Sequence, residues 1–483
     1  PRLSDAYSDI LKSTSWNQYN HNFNATLLQE TAFNSNSAGA FECWSSHYDR
    51  IRHENEFLRD AAEFGSKFGE DWLKIRIAEV RFCRAYAYFM LCRVYGGVIL
   101  RTEVDGPEQN DKARSTEEEC WGFIINELKE LAPDLPLKWD SDNSGRATQK
   151  AAYGLLSRVA LYAEKWDVAA QAARDCATAE GNLDLSENGY AKIFELGINS
   201  PEVLFAVEFK SSVIDHAYDA YVRPSGDTKE LGKQVYSGFV PTSELVDSYE
   251  MAGDGGNFSW EKHGKDPYAN REPRFYATIL YNGADWMGRK IESFVGGKDG
   301  YKAYENAGAA GTTVTGYYLR KYLIDGDKTW VTSGSGQDWI VLRYAEVLLN
   351  KAEALAMENW NKNSAEALQA LNDVRARVGL PARATADKET FLEYVRHERK
   401  VELAGEGFRY WDLRRWRLAE KVIDGQNVHG VKISKQSDGS FTYEQVDADG
   451  GHKRIFYDRY YRFAIPLSER SNNSLCTNND GWI

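Results

Sequence analysis

The stretch RHERKVELAGEGFRYWDLRRW, residues 396–416, decides the fold. Glu398 and Glu402 stand four positions apart in it, so they share one face of a helix. Two carboxylates could form the acid and base of a glycosidase, but arginines beside them would keep both ionised, whereas a general acid needs a raised pKa. We therefore predict a structural ion-pair network that links helices. Its further charged residues are Glu406, Asp412, Arg396, Arg399, Arg409, Arg414 and Arg415.

Helical patterns precede and follow this run. Apolar residues recur at helical spacing over 71–95 and occupy more than one face, so this helix should be buried on several sides. Gly96 and Gly97 should end it. The same criteria predict further helices over 115–131, 148–163, 167–179, 387–404 and 408–421.

An Ala-rich helix, a Trp-containing turn and a second Ala-rich helix occur twice. The first copy covers 148–179 and the second covers 342–378. Small alanines let paired helices approach closely, which is typical of tetratricopeptide hairpins. The matching turn residues are Leu161, Glu164 and Trp166 in the first copy, and Leu355, Glu358 and Trp360 in the second.

The middle of the chain has a different composition. Residues 181–338 are rich in Gly, Asn, Asp, Ser and aromatics, which predicts short strands and long loops. Long loops inside a domain usually carry function, and 427–463 is also strand-like. We expect one unit over 1–483, mainly α, with an N-terminal helical part (1–180), an irregular ligand-binding lobe (181–340), and C-terminal helical repeats with a closing segment (341–483).

Composition excludes several classes of function. The net charge of −13 disfavours a nucleic-acid partner, because phosphate backbones would be repelled. No apolar run approaches the roughly 20 residues that span a bilayer. The six cysteines form no CxxC pair, the eight histidines show no HExxH spacing, and Thr332–Gly336 lacks the first Gly of a GxSxG elbow. The sequence therefore predicts no cofactor, no His- or Cys-based metal site and no catalysis, and it leaves open whether a structural metal ion binds in the loops.

Five segments, in order along nearly the whole chain, carry a resemblance. The 396–416 run is the most specific of them, and the departures from the shared pattern are Ile99 and the closing 479–482. The other four are HYDRIRHENEFL (47–58), RAYAYFMLCRVYGGVIL (84–100), the 342–381 stretch and AIPLSERSNNSLCTNNDGW (464–482). On these five segments the chain resembles the SusD/RagB family.

The resemblance implies a set of expectations. They are tetratricopeptide-like repeats that carry an irregular lobe, and an outward-facing lipoprotein of the bacterial outer membrane. The protein would bind an oligosaccharide or polysaccharide and deliver it to a SusC-like TonB-dependent transporter, over which it sits as a lid. The chain starts at Pro1 without a visible signal peptide, and the lipid-bearing Cys is expected to precede it.

The candidate ligand residues are aromatics beside polar groups in the lobe. A pyranose offers an apolar face and an edge of hydroxyls, so it needs flat rings next to donors and acceptors. Trp286 is the first candidate, with Tyr281, Asn282 and Asp285 in the same six-residue stretch. We expect these rings to be open to water. The further candidates are Trp260, Trp330 and, in the N-terminal loop that borders the site by resemblance, Asn36.

The glycan itself stays open at this point. Arg271, Arg274 or Arg289 would allow even this acidic chain to bind an acidic sugar. Two other functions also stay open: a tetratricopeptide scaffold that binds only protein through a helical groove, and a glycoside hydrolase, for which the sequence gives no positive sign.

Overall fold

The predicted, mainly α fold class is confirmed in a computed structural model that describes residues 4–14, 33–104, 106, 111–303 and 311–482. Long helices within residues 44–178 and 344–423 form a unit that we call the frame. Short helices and strands between them, within residues 181–340, form a unit that we call the lobe. The helices of the described residues are α1 (Trp44–Phe64), α2 (Glu70–Tyr95), α3 (Glu117–Leu131), α4 (Gln149–Tyr162), α5 (Trp166–Thr178), α6 (Gly189–Leu196), α7 (Tyr218–Val222), α8 (Asp227–Leu231), α9 (Ser243–Val246), α10 (Trp260–His263), α11 (Pro273–Thr278), α12 (Trp330–Ser333), α13 (Tyr344–Arg377), α14 (Lys388–Glu402), α15 (Arg409–Arg415), α16 (Ala419–Ile423) and α17 (Leu467–Asn472).

Local sequence accounts for the ends of the frame helices. Thr116 and Glu119 form a reciprocal capping box at the start of α3, where each side chain accepts from the other residue's backbone N–H. At the end of α2, Gly96 adopts a positive φ of 75°, a conformation that is unfavourable for residues with a Cβ atom. Both helices lie where the apolar pattern predicted them.

The two predicted helical hairpins are present. Between α4 and α5 the chain turns at Glu164, whose φ of 54° is left-handed. In α13 the predicted break is a kink at Asn359, which has extended angles inside the helical span. A buried ion pair between Arg158 and Glu346, 2.5 Å, joins the first hairpin to the second. The repeats therefore pack against each other as one frame.

One helix prediction was wrong in extent. The pattern over 408–421 predicted a single helix, but the structure has α15 and α16, separated at Arg417. Arg417 has a left-handed φ of 54°, which interrupts the helix.

The strands of the described residues pair two by two, all antiparallel. They pair as β1 (Leu11–Ser13) with β3 (Phe239–Pro241), β2 (Val203–Val207) with β8 (Trp339–Arg343), β4 (Ile279–Leu280) with β7 (Tyr318–Leu319), β5 (Asp285–Trp286) with β6 (Arg289–Lys290), and β9 (His429–Lys435) with β10 (Phe441–Asp447). The lobe has its own apolar core, which the β9–β10 hairpin joins through Val431 and Ile433. The β2–β8 ribbon leads directly into α13 and thus connects lobe and frame.

A buried ion-pair network is present, as predicted, and it links the frame to the lobe. The arginines that hold Glu398 and Glu402 come from outside the 396–416 run, however; within the run, Arg399 and Arg415 pair with Asp412. Glu402, at the end of α14, accepts hydrogen bonds from Arg343 (2.6 Å), Arg274 (3.0 Å) and Arg377. These arginines come from β8, α11 and α13, so one buried carboxylate holds four elements. Glu398 adds bonds to Arg274 (2.5 Å) and to the α13 residue Arg375 (3.0 Å). The three arginines hold the pKa of Glu402 well below its usual range against the opposing effect of burial.

Replacing Glu402 by Gln should lower the free energy of unfolding by about 3–5 kcal/mol, since it leaves buried guanidinium groups without their counter-charge. Urea unfolding followed by circular dichroism measures this loss.

The matched control is Glu393→Gln on the same helix. Glu393 is exposed and, among the described residues, pairs only with the half-buried Arg396, so its loss should cost less than about 1 kcal/mol. Equal losses in the two variants would contradict a special role for the buried network.

Candidate functional site

Trp286 and Trp330 lie inside the lobe, and the prediction that they face water was wrong. Their exposed fractions are 0% and 1%. The guanidinium carbon of Arg223 lies between them, 5.2 Å from the Trp286 ring and 5.3 Å from the Trp330 ring. The Trp286 Nε1 donates to Asp227 Oδ2 at 3.0 Å. Because the cation contacts both rings and the carboxylate satisfies one indole edge, these residues are stable when buried.

Arg223 is therefore the centre of a polar cluster in the lobe. It is fully buried and pairs with Asp219 (2.8 Å) and Asp227 (3.3 Å). Arg289 extends the cluster by bonding Asp227 (2.8 Å) and Asp299 (2.6 Å). These contacts hold the short helices α7 and α8 against the β5–β6 hairpin.

The three arginines proposed as contacts for an acidic sugar are engaged within the protein. Arg274 belongs to the Glu402 network, and Arg289 is paired as described. Arg271 is buried over the Phe258 ring, 4.1 Å from its centroid, and donates to backbone carbonyls. These contacts leave none of the three arginines available to the charged group of a sugar.

The other candidates on the Trp286 stretch are mostly covered too. Tyr281 is half-buried, with its ring centroid 4.7 Å from that of Tyr268. Asn282 is buried, 7% exposed. Asp285 is exposed but pairs with Lys290 at 2.7 Å. The structure brings these residues together, as the sequence predicted, but as a packed hairpin.

Trp260 and Asn36 lie on other parts of the protein. Trp260 is half-buried, and its Nε1 donates to Asp247 at 3.0 Å. Burial raises the pKa of Asp247 to about 6. Asn36 is exposed in the N-terminal loop, where its backbone carbonyl accepts from Leu467 of the closing segment. Neither shares a described contact with the Trp286 hairpin.

Two tyrosines that the sequence analysis missed form the exposed aromatic pair of the lobe. Tyr221 and Tyr236 are 38% and 42% exposed, more than any other aromatic described within 181–340. Their ring centroids are 5.1 Å apart and the ring planes differ by 27°. We call this feature the tyrosine pair.

The backbone below the tyrosine pair is tightly held. Tyr236 N donates to Ala220 O at 2.7 Å, and Gly238 N donates to Tyr221 O at 2.6 Å. Ser237, buried with a left-handed φ of 43°, donates its hydroxyl to Arg223 O at 2.8 Å. Since Arg223 is fixed between Trp286 and Trp330, the buried tryptophans position the exposed tyrosines.

Polar groups accompany the tyrosine pair. The exposed Gln234 lies two residues before Tyr236, and no described residue bonds the Tyr236 hydroxyl. Lys233 is half-buried and donates to the backbone carbonyls of Trp330 (3.0 Å) and Val331 (2.6 Å). Flat rings flanked by an amide and a phenolic hydroxyl can bind the face and the edge of a sugar.

The described residues contain no group of three His, Cys, Asp or Glu side chains that could hold a metal ion. Among the same residues, no helix combines the length and the apolar character needed to cross a bilayer.

Comparisons with known proteins agree with this architecture. A structure of a SusD-like protein from Bacteroides fragilis superposes with a TM-score of 0.86 at 28% identity, covering 99% of this chain and 93% of that one. A second from the same species, described as a SusD-like carbohydrate binding protein, gives a TM-score of 0.81 at 24% identity, covering 98% and 92%. A SusD-like protein of Bacteroides ovatus is 26% identical over 452 residues, 88% of this chain and 74% of its own.

Family profiles match both parts of the chain. The SusD family profile matches residues 201–482, and a profile described as starch-binding associating with outer membrane matches residues 2–161. The chain belongs to the SusD family, as its motifs predicted.

Replacing Trp286 by Ala should lower the free energy of unfolding by about 3–5 kcal/mol, because it empties a buried site beside Arg223. Chemical denaturation measures this change.

Trp72→Ala is the control, since Trp72 is 47% exposed on α2 and its truncation should cost far less. Should Trp286→Ala unfold like the parent protein, the structural role given to this indole is wrong.

Proposed function

We propose that the protein is a surface glycan-binding protein whose tyrosine pair stacks on a sugar of an oligosaccharide. The observation that carries the proposal is the exposure of Tyr221 and Tyr236 on a backbone fixed by Arg223. Rigid rings bind with little loss of conformational freedom, which favours affinity. Family membership supports a carbohydrate ligand, as does the carbohydrate-binding description of the Bacteroides fragilis relative.

The expected affinity is modest. A shallow site with two rings should bind with a Kd between about 1 μM and 1 mM, or roughly −8 to −4 kcal/mol. Weak binding suits a protein that must release its ligand to a transporter. The carboxylates of the 396–416 run support binding without hydrolysis, because Glu402 is held ionised among arginines and a general acid must carry a proton.

Truncating both rings should abolish measurable glycan binding, and each single change, Tyr221→Ala or Tyr236→Ala, should weaken it about tenfold. Isothermal titration calorimetry against a panel of neutral oligosaccharides measures this.

The control is Tyr457→Ala, which removes a tyrosine of similar exposure, 37%, in the C-terminal part of the chain. If no glycan binds the parent protein, or the double variant binds as well as the parent, the proposed site fails.

The partner is proposed on the same basis. Family resemblance supports an outward-facing location at the outer membrane through a lipid anchor, with delivery to a SusC-like TonB-dependent transporter. The profile described as associating with outer membrane supports this location. Tagged protein should therefore recover a TonB-dependent transporter from solubilised outer membranes of the producing cell, and recovery of none would contradict delivery.

A scaffold that binds only protein is the second candidate. Phe68 and Trp72, on or next to α2, are 55% and 47% exposed, and their ring centroids are 5.1 Å apart. Exposed aromatics are enriched at protein interfaces. If Phe68→Ala with Trp72→Ala abolishes transporter recovery while no glycan binds the parent protein, the scaffold function is favoured.

A further inference from the structure

A cleft lies where the frame meets the lobe. Its volume is about 750 Å³, within the range of small-molecule sites. Residues of α1, α2, β8 and the loop before α15 form its walls. Tyr86 and Trp339 line it as half-buried rings, and Trp339 is held by stacking on Tyr322 at 4.9 Å. The cleft therefore offers apolar ring surface for a ligand.

Three basic side chains are grouped on the α1–α2 wall of the cleft: His47, Arg50 and Arg93. Burial and, after it, the charges of Arg50 and Arg93 together lower the pKa of His47 to about 4, so both guanidinium groups act on the same imidazole. Arg93 lies over the Trp411 ring at 4.2 Å, and its Nε is buried without a hydrogen-bond partner. Among the described residues, no carboxylate forms an ion pair with Arg50 or Arg93.

The carboxylates of the same cleft are already engaged. Glu406 pairs with Arg343 (2.7 Å) and Lys321 (2.9 Å). Glu42 accepts from the Tyr95 hydroxyl at 2.7 Å and from backbone N–H groups.

The remaining lining charges do not cancel the two cations. Arg158 is neutralised by its ion pair with Glu346. Glu54 lies one turn beyond Arg50 on α1, but it does not line the cleft and forms no ion pair with Arg50. Among the described lining residues, the guanidinium groups of Arg50 and Arg93 therefore have no ion-pair partner, and Glu42 is the one carboxylate without a cationic partner. The lining carries two such positive charges and one such negative charge. This local positive excess stands out on a chain whose net charge is −13.

We propose that this cleft binds a negatively charged sugar unit, one that carries a carboxylate or a sulfate ester. Arg50 and Arg93 contact the charged group, and Tyr86 and Trp339 contact the ring. Guanidinium groups are suited to both anions because they donate two parallel hydrogen bonds. The inference rests on the proposed function for the premise that the ligand is a glycan, but it places the charge selectivity in a different set of residues from the tyrosine pair.

Calorimetric titration of the full chain with matched oligosaccharides tests the cleft. The probes are a uronic acid oligomer and its neutral counterpart, a sulfated oligomer and its desulfated form, and inorganic sulfate. At least one charged oligomer should bind about tenfold or more tighter than its neutral counterpart, and Arg50→Gln should remove that difference. The advantage should also shrink as salt is raised. The two oligomer pairs distinguish carboxylate from sulfate.

Arg52→Gln is the matched control, because Arg52 is exposed on α1 two positions away and pairs with Asp49 and Glu56 outside the cleft. It should leave the preference for charge unchanged. The inference is overturned if no charged oligomer binds, if charged and neutral forms bind equally, if sulfate alone binds as tightly as the oligomers, or if Arg50→Gln binds like the parent.

Variants of the tyrosine pair distinguish a failure of the cleft inference from a failure of the proposed function. If neutral glycans bind through Tyr221 and Tyr236 while Arg50→Gln has no effect, the cleft inference fails and the proposed function stands. If charged oligomers need Arg50 but binding is unaffected by loss of both tyrosines, the cleft stands and the tyrosine site fails.

Discussion

The buried carboxylate of Glu402 accepts hydrogen bonds from Arg274, Arg343 and Arg377, and the arrangement of frame and lobe depends on these bonds. Each arginine comes from a different element, so the network fixes where α11, β8 and α13 lie relative to α14. Buried charges are costly unless they are fully paired, which makes the network sensitive to the loss of any member. A lobe of short strands and helices would otherwise have little regular structure to hold it in place.

A similar arrangement recurs on a smaller scale inside the lobe. Arg223 lies between Trp286 and Trp330 and pairs with Asp219 and Asp227. The segment that contains Arg223 also carries Tyr221, and the Ser237 hydroxyl bonds Arg223 from the segment that carries Tyr236. Buried aromatic and charged groups thus hold exposed aromatic rings in a defined orientation, which lowers the entropic cost of ligand binding.

The helices of the frame were predicted well from the sequence, because the residues that start and end a helix lie close to it in the chain. The end of α2 at Gly96 and the turn beside Glu358 and Trp360 were both predicted from nearby residues, and the structure adds a capping box at Thr116 that is equally local. The charged run also predicted a network, but two of its predicted members lie outside it: Arg396 pairs with Glu393 at the surface, and Arg414 donates to the backbone carbonyl of Tyr461. The break at Arg417 was missed, because the apolar and charged pattern continues across it.

The candidate site was less predictable because exposure depends on contacts between distant segments. Trp286 is flanked by polar residues, which suggested a surface position, but Asp227 and Arg223 cover it from 59 or more residues away in sequence. Tyr221 and Tyr236 meet only because the backbone of 236–238 pairs with that of 220–221. A crystal structure with a bound oligosaccharide is the most direct measurement of the central claim. A sugar ring against Tyr221 or Tyr236 is the predicted result, and a glycan bound elsewhere, with both tyrosine rings bare, would contradict it.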